Sequence, residues 1–162
     1  MTRDSRIEDL IARMTVEEKV GQLGVFADAV RPFAPDINPE ANAKGAAEVL
    51  EQIRAGKVGS LFNGVGATEG REAQRVAVEE SRLGIPLLFG SDVIHGMRTV
   101  FPIPLGEAAT FEPDLAERTA RVTAVEATAA GVHWTFAPAV DIARDQRWGR
   151  VAQAATSPPP TA

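Results

Sequence analysis

Side chains with chemistry to offer gather in two short stretches of this 162-residue sequence. The first, Gly90 to Pro102, places Asp92, His95 and Arg98 within seven positions. A carboxylate can accept from two hydroxyls of a polyhydroxylated ligand while a nearby guanidinium donates to others, both through charge-assisted bonds. The same residues equally make an Asp–Arg ion pair that braces a long loop, with His95 a satisfied structural residue. The second stretch, Ala137 to Arg150, crowds Asp141, Arg144, Asp145, Arg147, Trp148 and Arg150 into ten positions. Tryptophan beside arginine can stack on a sugar face or a base. A loop anchored by salt bridges over a packed Trp148 accounts for the same residues. Asp92, Asp141 and Asp145 are the carboxylates placed for acid–base work, a role that geometry decides. His95 and His133 are too few and too far apart for a metal site, and no cofactor is implied. A third stretch, Asn63 to Gly70, resembles a phosphate-cradling loop. Its spacing is GxGxxxG rather than GxGxxG, and no acidic residue ends the next strand to meet a ribose. Glycines that simply let the loop turn explain it as well.

These stretches follow apolar runs. Ile7, Leu10, Ile11 and Met14 recur at helical intervals, predicting a helix over 5–13. Thr15 and Glu18 have the spacing of a capping box that opens a second helix over 16–23. Residues 28–42 carry three prolines and read as a loop. A helix over 43–55 ends near Gly56, a plausible cap. Strands are expected at 58–62, 85–89 and 132–137, helices at 67–82 and 113–130, and a long polar loop at 90–110. Glu112 and Asp114 suit the first turn of the 113–130 helix. Strands that are apolar throughout and separated by helices suggest a parallel sheet covered on both faces. That pattern leaves a doubly wound sheet or a (β/α) barrel, folds whose ligands collect at the carboxyl ends of the strands. Both chemical stretches begin just past a predicted strand.

Composition narrows the class. Hydrophobic residues make up 44% and charged residues 24% of the chain, as in a soluble globular protein with one real core. No run approaches a membrane helix of roughly 18 apolar residues. The absence of cysteine excludes a disulfide framework, a thiolate zinc site and a cysteine nucleophile. Seventeen basic against 22 acidic residues leave a net charge of −5, with no basic footprint for nucleic acid. The charged segment Met1 to Asp9 lacks the apolar region of a secretory signal, which points to the cytoplasm. Residues 152–162 are uncharged, aperiodic and include three consecutive prolines, the composition of a disordered tail.

The runs Met14 to Leu23, Gly84 to Gly90, Asp92 to Gly96, Arg98 to Gly106, Trp134 to Pro138 and Arg147 to Arg150 together resemble glycoside hydrolase family 3 of the bacterial periplasmic beta-glucosidase type. The likeness covers about residues 5–151 in the family's order and spacing. It implies a (β/α)8 TIM-type barrel, of which residues 1–151 supply about the first three βα units after N-terminal helices. It also implies a retaining, exo-acting enzyme that removes terminal beta-linked glucose from glucosides or oligosaccharides. Asp92 matches the aspartate that grips the sugar's hydroxyls, Arg98 an arginine close to that sugar, and Arg150 another sugar-binding arginine. Arg147 and Trp148 match residues that shape their loop.

Beyond Val151 the family's acidic continuation, its Lys-His pair, the nucleophilic aspartate and the acid/base glutamate have no counterpart here. Retaining hydrolysis needs two carboxyl groups about 5–5.5 Å apart. The expectation is therefore an N-terminal fragment, left by a premature stop or frameshift, that binds part of the substrate and is inactive alone. The alternative is a non-catalytic carbohydrate-binding module, or one completed by a separate C-terminal portion. Members of this family are often exported, against the cytoplasmic reading above. A barrel cut after three units leaves a strand edge and apolar helix faces uncovered, which predicts poor solubility in isolation.

Overall fold

A computed structural model of the chain describes residues 3–27, 46–62 and 69–154. The chain forms two compact units, residues 1–90 and 91–162.

The first unit opens with α1 (Arg3–Arg13) and α2 (Val16–Leu23). The expected capping box starts α2: the Glu18 amide donates to Thr15 Oγ1 at 3.2 Å, and the Thr15 amide to Glu18 Oε2 at 2.8 Å. Two of the helix's orphan donors are thereby satisfied. Glu18 has a second task. Its carboxylate accepts from Arg82 Nε at 3.0 Å and from Arg82 Nη2, and Arg82 also donates to the Arg13 carbonyl at 2.9 Å. One buried carboxylate thus ties the α1–α2 corner to a residue 64 positions away.

A strand not expected from the sequence, β1 (Val25–Ala27), follows α2. The proline-rich loop over 28–42 lies outside the described residues. Then come α3 (Ala46–Arg54) and β2 (Ser60–Phe62). Gly56 closes α3 as expected. It adopts φ +71° and donates to the Ile53 carbonyl, while the Lys57 amide reaches back to Gln52. This 6→1, 5→2 pattern needs the left-handed conformation that glycine adopts without a Cβ clash. The α4 helix (Glu69–Arg75) runs into one π-helical turn, Val76–Glu80, so the expected helix over 67–82 ends differently from its prediction. β3 (Leu88–Ser91) comes next, starting later than expected.

β1, β2 and β3 pair in parallel, in registers that align Phe26, Leu61 and Phe89 in one row and Val25, Ser60 and Leu88 in the next. Successive residues of a strand point to opposite faces. The first row faces the core, where Leu61 and Phe89 pack with Val49, Ile53, Val58, Ala73, Val76, Ala77 and Leu87. In the second row Val25 is 48% and Leu88 41% exposed. α3, α4 and the π turn cover the first face; on the other, Val25 and Leu88 are exposed while Ser60 between them is buried.

The second unit contains α5 (Pro104–Ala108), α6 (Pro113–Ala129) and a two-residue β4 (Trp134–Thr135). α5 sits inside the stretch expected to be loop, and β4 is shorter than the predicted 132–137. Glu112 occupies the N-cap of α6 without a side-chain bond. Pro113 at the first helical position, which has no amide hydrogen to satisfy, starts the helix instead. Asp114 lies in the first turn, as expected. The Phe136 amide donates to the Ser91 carbonyl at 3.4 Å. After a 3₁₀ turn at Gln146–Trp148, a second at Val151–Gln153 brings Ala154, only 2% exposed, into a parallel bridge with Ala139. Residues 152–154 of the stretch read as a tail are thus described; residues 155–162 lie outside the described residues. Among the described residues no helix is long and apolar enough to cross a membrane.

Candidate functional site

The loop after β3 is built by three local devices. Gly96 adopts φ +117°, and a Cβ there would meet the Thr99 carbonyl oxygen at 1.9 Å, so only glycine fits the turn. The Phe101 amide donates to the His95 carbonyl at 2.8 Å, and His95 Nδ1 lies 3.2 Å from the Phe101 carbonyl. A carbonyl can only accept, so Nδ1 carries the proton. His95 is the structural residue of the two sequence readings. The third device comes from α6. Glu126 Oε2 accepts from the amides of Arg98 and Thr99 at 2.9 and 2.8 Å, and Oε1 from the Thr99 hydroxyl at 2.6 Å. These bonds, the Thr99 hydroxyl first, hold the Glu126 carboxyl below the ordinary carboxylate range. A second clasp from α6 joins the Thr119 hydroxyl to the Glu107 carboxylate of α5.

Asp92 leaves the end of β3 with its side chain exposed and, among the described residues, without a hydrogen-bond or ion-pair partner. It does not pair with Arg98. The bracing ion pair considered from the sequence is therefore not formed, and both charged groups stay open to solvent. Arg98 is exposed, fixed through its backbone rather than its guanidinium.

In the second stretch Arg150 is exposed and donates from Nε to Gln153 Oε1 at 2.7 Å. Arg147 is spoken for: its Nε lies 3.0 Å from both Asp145 oxygens, and the Asp145 carboxylate also caps the 3₁₀ turn through the Arg147 amide. This pairing, the Arg147 side chain first, holds the Asp145 carboxyl below its ordinary value. Arg147 thus shapes its loop. Trp148 is 43% exposed and lines, with Asp141, Ile142, Arg144 and Asp145, an open hollow of about 340 Å³. A cleft of about 300 Å³ separates the β3 loop from α5 and α6, lined by Val93, His95, Phe101, Glu107, Thr119 and Thr135 among others. Residues 63–68 of the glycine-rich stretch lie outside the described residues.

Sequence reasoning missed Glu126, Glu107 and Thr119. Glu126 carries one signal: it is an acidic residue in the last turn of a helix, where the macrodipole disfavours it.

Parallel strands joined by helices, with charged loops following strand ends, define an α/β protein of the barrel or doubly wound kind. The chain belongs to glycosyl hydrolase family 3, whose N-terminal domain matches residues 15–160. That match continues past residue 151, where the recognisable motifs stop. A periplasmic beta-glucosidase from Salmonella typhimurium is 43% identical over 151 residues, covering 93% of this chain and 18% of that protein. A putative beta-xylosidase from Formosa agariphila is 30% identical over 164 residues, 95% of this chain and 21% of that protein. The crystal structure of a beta-glucosidase from Listeria innocua in complex with glucose superposes with a TM-score of 0.76 at 33% identity, covering 95% of this chain and 21% of that one. The same enzyme in complex with isofagomine gives 0.75 at 34% identity, over 96% and 20%. The chain thus spans about a fifth of the length of these relatives, and its architecture is part of a TIM-type barrel.

Proposed function

We propose that this chain forms the sugar-gripping part of a beta-glucosidase-type glycoside hydrolase that removes terminal beta-linked glucose. Asp92, Arg98 and Arg150 bind the sugar, and the nucleophile and acid/base needed for hydrolysis come from outside these residues, the nucleophile from later in the barrel and the acid/base from a following domain. Asp92 carries this reading: an exposed carboxylate at the carboxyl end of β3, partnerless among the described residues, is free to accept from two sugar hydroxyls. The relatives that are beta-glucosidases support it. Hydrolysis of a chromogenic beta-glucoside by the purified chain is expected to match a mock preparation. In an NMR titration, isofagomine is expected to shift the amides around Asp92, Arg98 and Arg150, and Asp92→Ala to remove the response. Turnover that Asp92→Ala abolishes would overturn the claim that the chain is inactive alone. A titration that leaves all three segments unmoved would remove them from the sugar site.

A second reading, in which a separate polypeptide completes the barrel, is favoured by the apolar surface of the second unit. There Trp134 and Phe136 are 42% and 41% exposed with ring centroids 4.5 Å apart, and Val140 and Ile142 are exposed as well. Glucosidase activity that appears only on co-expression with the rest of a relative's barrel would favour this reading.

A further inference from the structure

Glu126 faces an electrostatic disadvantage. It lies in the last turn of α6, where unsatisfied carbonyls concentrate partial negative charge and a carboxylate is disfavoured. Its side chain is half-buried, yet both oxygens are occupied by donors from a single segment 27 to 28 residues earlier. Hydrogen bonds to a charged acceptor are the strong kind, and three of them offset the unfavourable site. They converge on Arg98 and Thr99, which close the turn that only Gly96 permits.

The consequence concerns Arg98. An exposed arginine has many rotamers, and its guanidinium can be presented to a ligand consistently only if its backbone is fixed. Among the described residues, the Arg98 guanidinium has no hydrogen-bonding partner of its own, so α6 supplies that constraint through the backbone. We propose that Glu126 is the positioning residue of the sugar-binding loop: it anchors the 98–99 turn and so sets where Arg98 meets the sugar. This rests on the assignment of Arg98 to the sugar site made above. Glu126 itself touches no substrate. The Thr119–Glu107 clasp holds the following short helix to the same face of α6, so one helix frames the whole loop from Arg98 to Ala108.

The test uses the full 162-residue chain and has two arms. In the first, amide hydrogen exchange is followed at Arg98 and Thr99. Glu126→Ala is expected to speed both by about tenfold or more, since each amide loses a charged acceptor, while β2 amides stay unchanged. Glu126→Gln is expected to restore much of the protection, because the carboxamide oxygen can still accept both amides and Thr99 can turn its hydroxyl to accept. In the second arm isofagomine is titrated. Glu126→Ala is expected to weaken binding about tenfold or more with Glu126→Gln intermediate. Thr99→Val, which removes one bond and keeps both amides, is expected to fall between Glu126→Gln and wild type, and provides the readout should Glu126→Ala fail to fold. Unchanged exchange at both amides in Glu126→Ala, or an unchanged isofagomine Kd, would overturn the proposal. If wild type ignores isofagomine, the sugar-site reading falls, and the exchange arm alone decides whether Glu126 anchors the turn.

Discussion

The two units of this chain are held by different physics. Residues 1–90 enclose a contiguous apolar cluster, in which Ile53, Leu61 and Val76 are essentially inaccessible. Among the described residues of the second unit, burial of apolar side chains is limited to Val93, Pro104, Ala127, Val132 and Ala154, while two tryptophans stand over 40% exposed. Order there comes from polar clasps: Glu126 on the 98–99 turn, Thr119 on Glu107, His95 on Phe101 and Asp145 on Arg147. Burial contributes through many non-directional contacts, whereas each hydrogen bond adds only about 0.5–1.5 kcal/mol net. The first unit is the scaffold. The second carries Asp92, Arg98 and Arg150 exposed, together with apolar side chains that also meet solvent.

The largest expected effect follows from that contrast. Ile53→Ala removes a buried side chain and leaves a cavity, at an expected cost of about 2–5 kcal/mol. Denaturant unfolding followed by amide exchange should place that loss in the first unit. An equal loss of protection in residues 91–154 would instead mean that the two units unfold as one.

Next in size is Gly96→Ala. The added methyl would collide with the Thr99 carbonyl, in a backbone region that costs a non-glycine residue about 1–3 kcal/mol. Protection of the Arg98 and Thr99 amides should drop while the cluster around Leu61 keeps its own. A variant with both amides still protected would show that the turn does not depend on glycine, and would weaken the division into apolar scaffold and clasped loop.

What the sequence made legible follows the same divide between local and distant causes. The Thr15–Glu18 capping box and the Gly56 cap are decided within five residues, so their signals sit in the string itself. β1 left none: Val25–Ala27 is three residues long, follows a helix directly, and becomes a strand only because Ser60–Phe62 lies beside it. α5 was hidden by Pro102, Pro104 and Gly106, which read as loop residues although proline at a first helical turn favours a start. In the site, Asp92 and Arg98 stood out by residue type and spacing. Glu126 did not: its place in the last turn of α6 is the one hint, and its partners are 27 to 28 positions away.

The smallest expected effect sharpens the comparison, because the scaffold too carries polar clasps: Gln74 on the Leu87 backbone, Arg54 and Arg75 on Glu80, and Arg82 on Glu18. Arg82, followed by the Thr15 amide, holds the Glu18 carboxyl below its ordinary value of 4.5. A carboxyl lowered on folding stabilises the fold above the ordinary carboxylate pKa and loses that contribution as pH falls through the folded value. Melting of the wild-type first unit is therefore expected to weaken as pH drops from about 5 towards 3. Glu18→Gln should be less stable at neutral pH and flatter across the acid range. The difference should be modest, because Arg82 is half exposed and solvent screens the pair. Glu72 and Glu80 are also held low by arginines, so some acid dependence persists in the variant. A Glu18→Gln protein whose melting follows the wild-type acid curve in parallel would show that Arg82 holds the α1–α2 corner without help from the carboxylate's charge. The acid dependence of the first unit would then come from the Glu72 and Glu80 pairs with Arg54 and Arg75 rather than from the α1–α2 corner.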